Sequence, residues 1–441
     1  MALPVGGVGV NSRVVGSSPV KVDSVEKVTG RAKFPGDLSA RGMLYGKLLY
    51  SPMACARIIR IDVEMALRVP GVRAVITARD VPGHNGHGVI LAHQPVFASE
   101  MVRSVNDVLA AVAADTIDAA EEAMRRIRCE LYELPAVFDA MEAMKPGAPL
   151  VHPEGNILSH HKIRRGNLAE GFASAAVIVE NTYRTPMVDH AFLQPEAVLA
   201  EIDERGHLVV NIATQYPHWD RRELSHALAL PENKIRVVSG AVGGAFGGRE
   251  DMSLQIPAAI LALRTGRPVK MVCNRAESFH AHSKRHAMTM HYRTGADQQG
   301  LLTALEVSII GDTGAYASWG SNVLRKAAVH ATGPYVVPNA KIDAYAVYTN
   351  NPFAGAMRGF GAAQPAIAYE AQMDEVAHAL GISPFTVRWR NAFTIGDQTV
   401  TGQSLESSVG LRQTMEQAAR AMGWDVAKLT STEHTGGDEF G

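Results

Sequence analysis

Cysteine is scarce in this chain. Cys55, Cys129 and Cys273 are the whole supply in 441 residues, far apart and odd in number. That argues against a disulfide framework and leaves no thiolate cluster for an iron–sulfur or zinc centre. Charge of one sign is also lacking. Lys plus Arg number 43 against 44 Asp plus Glu, with no long basic run, which speaks against nucleic acid and anionic membrane surfaces as partners. No stretch is apolar for long enough to span a bilayer, and the opening MALPVGGVGVNSRVV has no charged segment leading into an apolar one. Neither a membrane nor a secretory signal is therefore expected, and the expected location is cytoplasmic.

What the chain does have is an apolar content of 46%, ample for sizeable cores, arranged as alternating short strands and helices. Residues 1–20 read as a flexible arm and 426–441 as a flexible tail. Between them the pattern predicts two α+β domains. The first, 21–143, has strands at 43–50, 58–63, 72–77, 108–113 and 129–134. A helix over 116–127 carries Glu121 and Glu122 ahead of Arg125 and Arg126, as the helix dipole favours. The stretch MKPGAPLVHPEGN (144–156) has the Pro and Gly of a linker. The second domain, 157–425, opens its regular part with a hairpin, 197–202 and 208–213. Helices are expected at 219–230, 251–263, 362–380 and 411–422, and strands at 234–239, 268–273, 302–311 and 342–348.

Two loops could carry chemistry. VGGAFGGRED (242–251) follows a strand and precedes a helix, so its glycines let the backbone approach a ligand that helix N-terminal amides could face. It is neither a dinucleotide fingerprint nor a P-loop: its glycines never spell G-x-G-x-x-G, and Arg249 and Glu250 stand where Lys and Ser/Thr are needed. By itself it fits a strained structural turn as well as a cofactor loop. GAMRGFGAAQ (355–364) again precedes a helix, and Arg358 with Phe360 could offer a guanidinium and an aromatic face to one planar ligand. The alternative is an ordinary turn around a buried phenylalanine. His280, His282 and His286 lack a completing carboxylate or cysteine and read as surface or supporting histidines, not zinc ligands. His84, His87 and His93 read as solvated, and the KIRR stretch after His160–His161 as an exposed charged face.

Taken in order, TQYPHWDR (214–221), VGGAFGGRED, SKRHAMTM (283–290), GDTGAYAS (311–318), TNNPFAGAMRGFGAAQ (349–364) and TGQSLE (401–406) resemble the molybdenum hydroxylases, the family of xanthine dehydrogenase, aldehyde oxidase and nicotinate dehydrogenase. VDSVEKVTGRAKFPGD (22–37) and AVAADT (111–116) resemble that family's a/b hammerhead domain, so the second domain would be its first molybdopterin-binding domain. The resemblance spans residues 21–422. It implies a molybdenum centre on molybdopterin cytosine dinucleotide, held by the pterin without a protein ligand, that hydroxylates an electron-poor carbon with oxygen from water. It also implies 2Fe-2S clusters and FAD on partner subunits. By matching position, Gln215, Phe246, Gly247 and Arg358 would hold the cofactor, Phe360 would stack on a planar substrate, and Glu250 and Arg285 would bind a heterocycle. Arg285 would meet charge developing on the ring through a bond worth about 1.5–3 kcal/mol.

Met357 and Ala245 depart mildly from the family's loops, and the absence of cysteine from 355–364 argues against a carbon-monoxide-oxidising member. The family's catalytic glutamate lies in a later domain. The resemblance therefore implies a chain split as in nicotinate dehydrogenase, with a second molybdopterin-subunit half supplying the general base. A purine such as xanthine or hypoxanthine is the favoured substrate. Nicotinate, an aromatic aldehyde or thioester, or a non-catalytic assembly role are the alternatives.

Overall fold

The computed structural model describes residues 17–430. The expectations for a flexible arm and tail fall mostly outside that range. In chain order the strands are β1 (Leu44–Tyr50), β2 (Ala56–Asp62), β3 (Val72–Ile76), β4 (Met101–Val102), β5 (Val108–Ala114), β6 (Arg128–Glu133), β7 (Ile157–Arg165) and β8 (Val177–Thr185). They continue as β9 (Ala197–Ile202), β10 (Leu208–Ile212), β11 (Ile235–Ser239), β12 (Val269–Val272), β13 (Met288–Ala296), β14 (Leu302–Gly314) and β15 (Ala340–Tyr348). They form a seven-stranded sheet in the order β11-β10-β9-β12-β1-β5-β3, a five-stranded sheet β7-β15-β14-β13-β8 and a small sheet β4-β2-β6.

The apolar run VLAAVAA of β5 shows how sequence becomes packing. Successive side chains of a strand face opposite ways. Ala111 and Ala113 enter the core shared with the buried helix Gln255–Thr265, while Ala110, Val112 and Ala114 enter the core under helix Ile117–Arg126. A strand covered on both faces has no use for polar residues, which is why its sequence does not alternate. Each fully buried Val or Leu side chain in such a core contributes about 1.5–3 kcal/mol. Helix Ile117–Arg126 starts where expected, with the Thr116 side chain accepting the Ala119 N–H at 3.2 Å. The five-stranded sheet buries Met288, Met290 and Tyr292 of β13 under helices Gly320–His330 and Ala363–Leu380.

The stretch 144–156 has no regular element, yet it does not hang free. Val151, His152 and Asn156 are buried, and the Asn156 side chain bonds Ala143 O, Pro149 O and the Val151 N–H. The large sheet also runs across it: β1 pairs in parallel with β12, Leu44 opposite Val269. The KIRR stretch is part of β7, paired antiparallel to β15, and Arg164 is tied to Asp343 at 2.8 Å. Its charges occupy a strand's outward positions instead of a loop.

Candidate active site

β11 ends at Ser239 and releases the chain into the first glycine-phenylalanine loop. The expected helix begins only at Gln255, so residues 251–254 separate the loop from the helix and its N-terminal amides do not front it. The loop's own amides turn elsewhere. Gln215, just past β10, accepts the N–H of Gly247 at 3.0 Å and that of Arg249 at 3.4 Å on Oε1. This fixes the amide orientation, so Nε2 donates to Glu250 Oε1 at 3.1 Å. Phe246 takes a left-handed backbone (φ 52°) that holds its ring 49% exposed.

The two loops touch. The Arg358 N–H donates to Phe246 O at 2.8 Å, and a Cβ on Gly247 would come within 2.6 Å of Ala356 O. Only glycine allows that approach. In the second loop Phe360 is also left-handed (φ 48°) and half-buried, its ring 5.7 Å from Trp319 in an edge-on contact. Arg358 is exposed, and its carbonyl accepts a bond from Arg285 Nη2 at 2.9 Å. Arg285 is partly buried. Among the described residues no carboxylate pairs with it, and burial lowers its pKa.

Glu250 closes the circuit. Burial pushes its carboxyl up to about 7, Asp251 beside it adds to the rise, and Tyr216, Trp319 and Gln215 pull weakly the other way. Trp319 Nε1 has no partner at hydrogen-bond distance, though the indole is close enough to favour the charged carboxylate. Tyr216 in turn packs edge-on against Trp319 at 6.3 Å. Asp251 is buried, raised by that burial, and accepts the Ser318 hydroxyl at 2.8 and 2.9 Å. The contacts thus run Arg285, Arg358, Phe246, Gly247, Gln215, Glu250, Trp319, Phe360. All seven residues expected at the site lie on one continuous path, which brings together a guanidinium without a carboxylate, a carboxyl that titrates near neutrality and two aromatic rings.

Sequence reasoning missed Tyr216 and Trp319, although both sit inside or next to quoted motifs. It also missed the segment 188–196, which staples both loops. The Gln194 side chain accepts the Gly243 N–H at 2.7 Å, and His190 Nε2 donates to Ala356 O at 2.7 Å. His282 is not at the surface: it is 2% exposed. Of the upstream histidines His84 is exposed, as expected, but His87 and His93 are not solvated. His87 is buried, and burial pushes it down to about 4. His93 stacks on His152 at 4.7 Å and accepts the Ala317 N–H at 2.8 Å, with burial and then His152 taking it down to about 4. Glycine and proline around them suggested a wet loop, but the loop is pressed onto the body of the protein.

The fold and this arrangement define a chain that presents paired glycine-phenylalanine loops beside the Gln215–Glu250 contact. Residues 151–392 match the molybdopterin cofactor-binding domain, and residues 29–135 match the aldehyde oxidase and xanthine dehydrogenase a/b hammerhead domain. The chain belongs to the aldehyde oxidase and xanthine dehydrogenase family of molybdenum hydroxylases, which are oxidoreductases. It is 43% identical to the nicotinate dehydrogenase large molybdopterin subunit of Eubacterium barkeri, over 93% of this chain and 96% of that one. It is 41% identical to a probable xanthine dehydrogenase subunit of Bacillus subtilis, over 85% of this chain but only 50% of that one. The solved aldehyde oxidoreductase from Desulfovibrio gigas superposes with a TM-score of 0.86 at 29% identity, over 91% of this chain and 46% of that chain. The chain therefore spans nearly all of the first relative and about half of the others. No described helix is long and apolar enough to cross a membrane.

Proposed function

We propose that this chain is the cofactor-holding half of a hydroxylase acting on a nitrogen heterocycle, and that a partner chain supplies the remaining molybdopterin-binding surface and the general base. The observation that carries the reading is the contact path itself, which starts at Arg285 and runs through Glu250 to the aromatic pair. The donor set fits a molybdenum cofactor: an exposed Phe246 ring, the exposed Arg358 guanidinium and the Gln215 amide suit a flat, anionic group. Gln215, Phe246, Gly247 and Arg358 would hold it. When bound, the molybdenum centre supplies the two-electron oxidation and takes the oxygen from water. The chain's own residues bind and orient. Phe360 offers a face to a planar ring, and Arg285 donates to a ring oxygen or nitrogen as negative charge grows there. Glu250, raised to about 7, can donate or accept a hydrogen bond at neutral pH.

That pairing of an arginine with a carboxyl of neutral pKa suits a purine, which carries both a carbonyl and ring N–H groups. Nicotinate is the second reading, because the relative with that name matches this chain almost end to end. The cytosine dinucleotide form of the cofactor, 2Fe-2S and FAD partner subunits and a cytoplasmic location belong to the same proposal. The test is turnover of xanthine, hypoxanthine, nicotinate and benzaldehyde by the assembled enzyme and by Arg285→Met. Loss of a charge-assisted bond should cut purine turnover roughly ten- to hundredfold and aldehyde turnover far less. Equal losses on both would remove Arg285 from the substrate.

A further inference from the structure

Beside the loops lies an ion network that the proposed chemistry does not use. His282 Nδ1 is 2.7 Å from Glu196 Oε1, and its Nε2 is 3.2 Å from Asp189 Oδ2. His282 and Glu196 are 2% and 3% exposed. Lys284 Nζ is 3.0 Å from Asp189 Oδ2 and donates to His282 O at 2.6 Å. The Nδ1–Glu196 approach has the distance of an ion pair without hydrogen-bond alignment, whereas Nε2 bonds Asp189 Oδ1 at 3.2 Å. Two acid groups flanking one ring favour its doubly protonated form, and two carboxylates against an imidazolium and an ammonium sum to zero.

The network sits one residue from the backbone bonds that aim the site. Arg285 N–H donates to Val188 O at 2.8 Å, Lys284 N–H to Phe353 O at 3.0 Å, and Gly355 N–H to Lys284 O at 2.8 Å. We propose that His282 is a positioning residue: an imidazolium clamped between Asp189 and Glu196 that holds Arg285 and the second glycine-phenylalanine loop in place. The inference rests on the reading of Arg285 as substrate-facing.

The surroundings favour the clamp. Burial alone would discharge His282, but the carboxyls of Asp189 and Glu196 hold its pKa above the ordinary imidazole value. Burial would likewise raise Glu196, and contact with His282 overrides it. The other charged or titratable neighbours include His190 at 5.5 Å between ring centroids, Asp251, Arg249, Cys273 and the buried Tyr50. Arg249 lies over Phe192 at 4.1 Å and bonds Gly244 O at 2.8 Å, so it braces the first loop and does not replace His282 between the carboxylates. On helix Arg275–Ala281, Ser278 approaches Glu196 and Arg275 donates to Leu193 O at 2.9 Å.

Two measurements test this. Amide exchange on the full chain, without cofactor, should show H282Q losing protection over 283–290 and 353–361 by roughly tenfold or more, because local opening is easier. H282Q/E196Q should regain most of it, since removing one carboxylate restores neutrality. In the assembled enzyme, H282Q should slow a heterocycle by a smaller factor in the R285M background than in the native one, because part of its effect passes through Arg285. Unchanged exchange in H282Q overturns the proposal. So does an H282Q/E196Q variant no better protected than H282Q, including the case where neither folds, and so does an H282Q effect on turnover that is undiminished in the R285M background. If R285M fails to separate heterocycle from aldehyde, the substrate reading falls while the exchange result still decides the clamp.

Discussion

Two pairs of carboxylates, each with one member buried and one partly exposed, stand in this protein within a few residues of the same loops, and they behave oppositely. Asp189 and Glu196 are held below the ordinary carboxylate range, Asp189 strongly so. Glu250 is pushed up to about 7, and Asp251 is raised as well. Burial acts on all four in the same direction, against the charged form. The difference is the company each keeps. His282 and Lys284 stand against the first pair, whereas Glu250 faces hydroxyl, indole and amide groups with no cation. Two of the nearby cations are tied into the architecture and none is set against Glu250, while the Arg285 guanidinium stands without a carboxylate. A ligand that brings N–H donors to Glu250 would make up for the cation it lacks, which is the arrangement expected where binding is to be selective.

The largest expected break in this comparison comes from Asp189→Asn. Lys284 is 6% exposed and would lose its carboxylate, and His282 would lose one of two. Leaving a buried charge unpaired costs about 3–5 kcal/mol, readable by urea unfolding. The sign with pH is defined. The folded pKa of Asp189 is depressed, so its contribution is present above the ordinary carboxylate range and is lost as pH falls through the depressed value. His282 is raised, so its contribution is present below the ordinary imidazole value and is lost as pH rises through the raised one. The network should therefore support stability across neutral pH and weaken toward both ends. A loss under about 1 kcal/mol in Asp189→Asn would mean that the network is decoration.

Glu250→Gln should do the reverse. The folded chain keeps a proton on Glu250 up to about 7, whereas the unfolded chain releases it near 4.5. Stability is thus lost as pH rises through that window, and the amide, which cannot ionise, removes the loss. The variant should gain roughly 1–3 kcal/mol at pH 8 and nothing at pH 4, allowing for partial solvent access. Unfolding at the two pH values checks it. A destabilised variant at pH 8 would show that the charged carboxylate is held by partners stronger than those described.

The fold was legible wherever one periodic pattern ruled. The hairpin at 197–202 and 208–212, β5 and its following helix, and helix Ala363–Leu380 all fall within a few residues of expectation. β7 and β8 were missed because ILSHHKIRR places polar residues at intermediate exposure on both faces, and VIVENTYRT, though its exposure alternates, puts Asn181 and Thr185 on the inner face and Ile178 on the outer one. Helices Arg275–Ala281 and Gly320–His330 were missed for a related reason: the apolar stripes of RAESFHA and GSNVLRKAAVH are short and cut by polar residues. At the site, glycine spacing and family motifs identified both loops. They could not show that the loops touch, since that contact joins Phe246 to Arg358 across more than a hundred residues. The ion network was illegible for the same reason: Asp189, Glu196 and His282 have no shared spacing, and a histidine's charge is set by what folds against it.

The finest test of the comparison concerns Tyr216. If company and not burial decides these pKa values, removing a hydroxyl that favours the charged Glu250 should raise it further. Tyr216→Phe deletes that one oxygen while keeping the ring that packs at 6.3 Å from Trp319, so the packing around Glu250 stays filled. A single hydrogen bond is worth about 0.5–1.5 kcal/mol, so the midpoint should move above about 7 by no more than roughly one pH unit. The carbonyl stretch of protonated Glu250, assigned by its absence in Glu250→Gln, reports that midpoint directly in an infrared titration. Its rise would show that hydrogen-bond company offsets part of what burial and Asp251 impose on the carboxyl. A midpoint that stays put would show the hydroxyl pointing elsewhere. A fall would mean that it had been bonded to the protonated carboxyl, reversing the sense in which Glu250 is tuned.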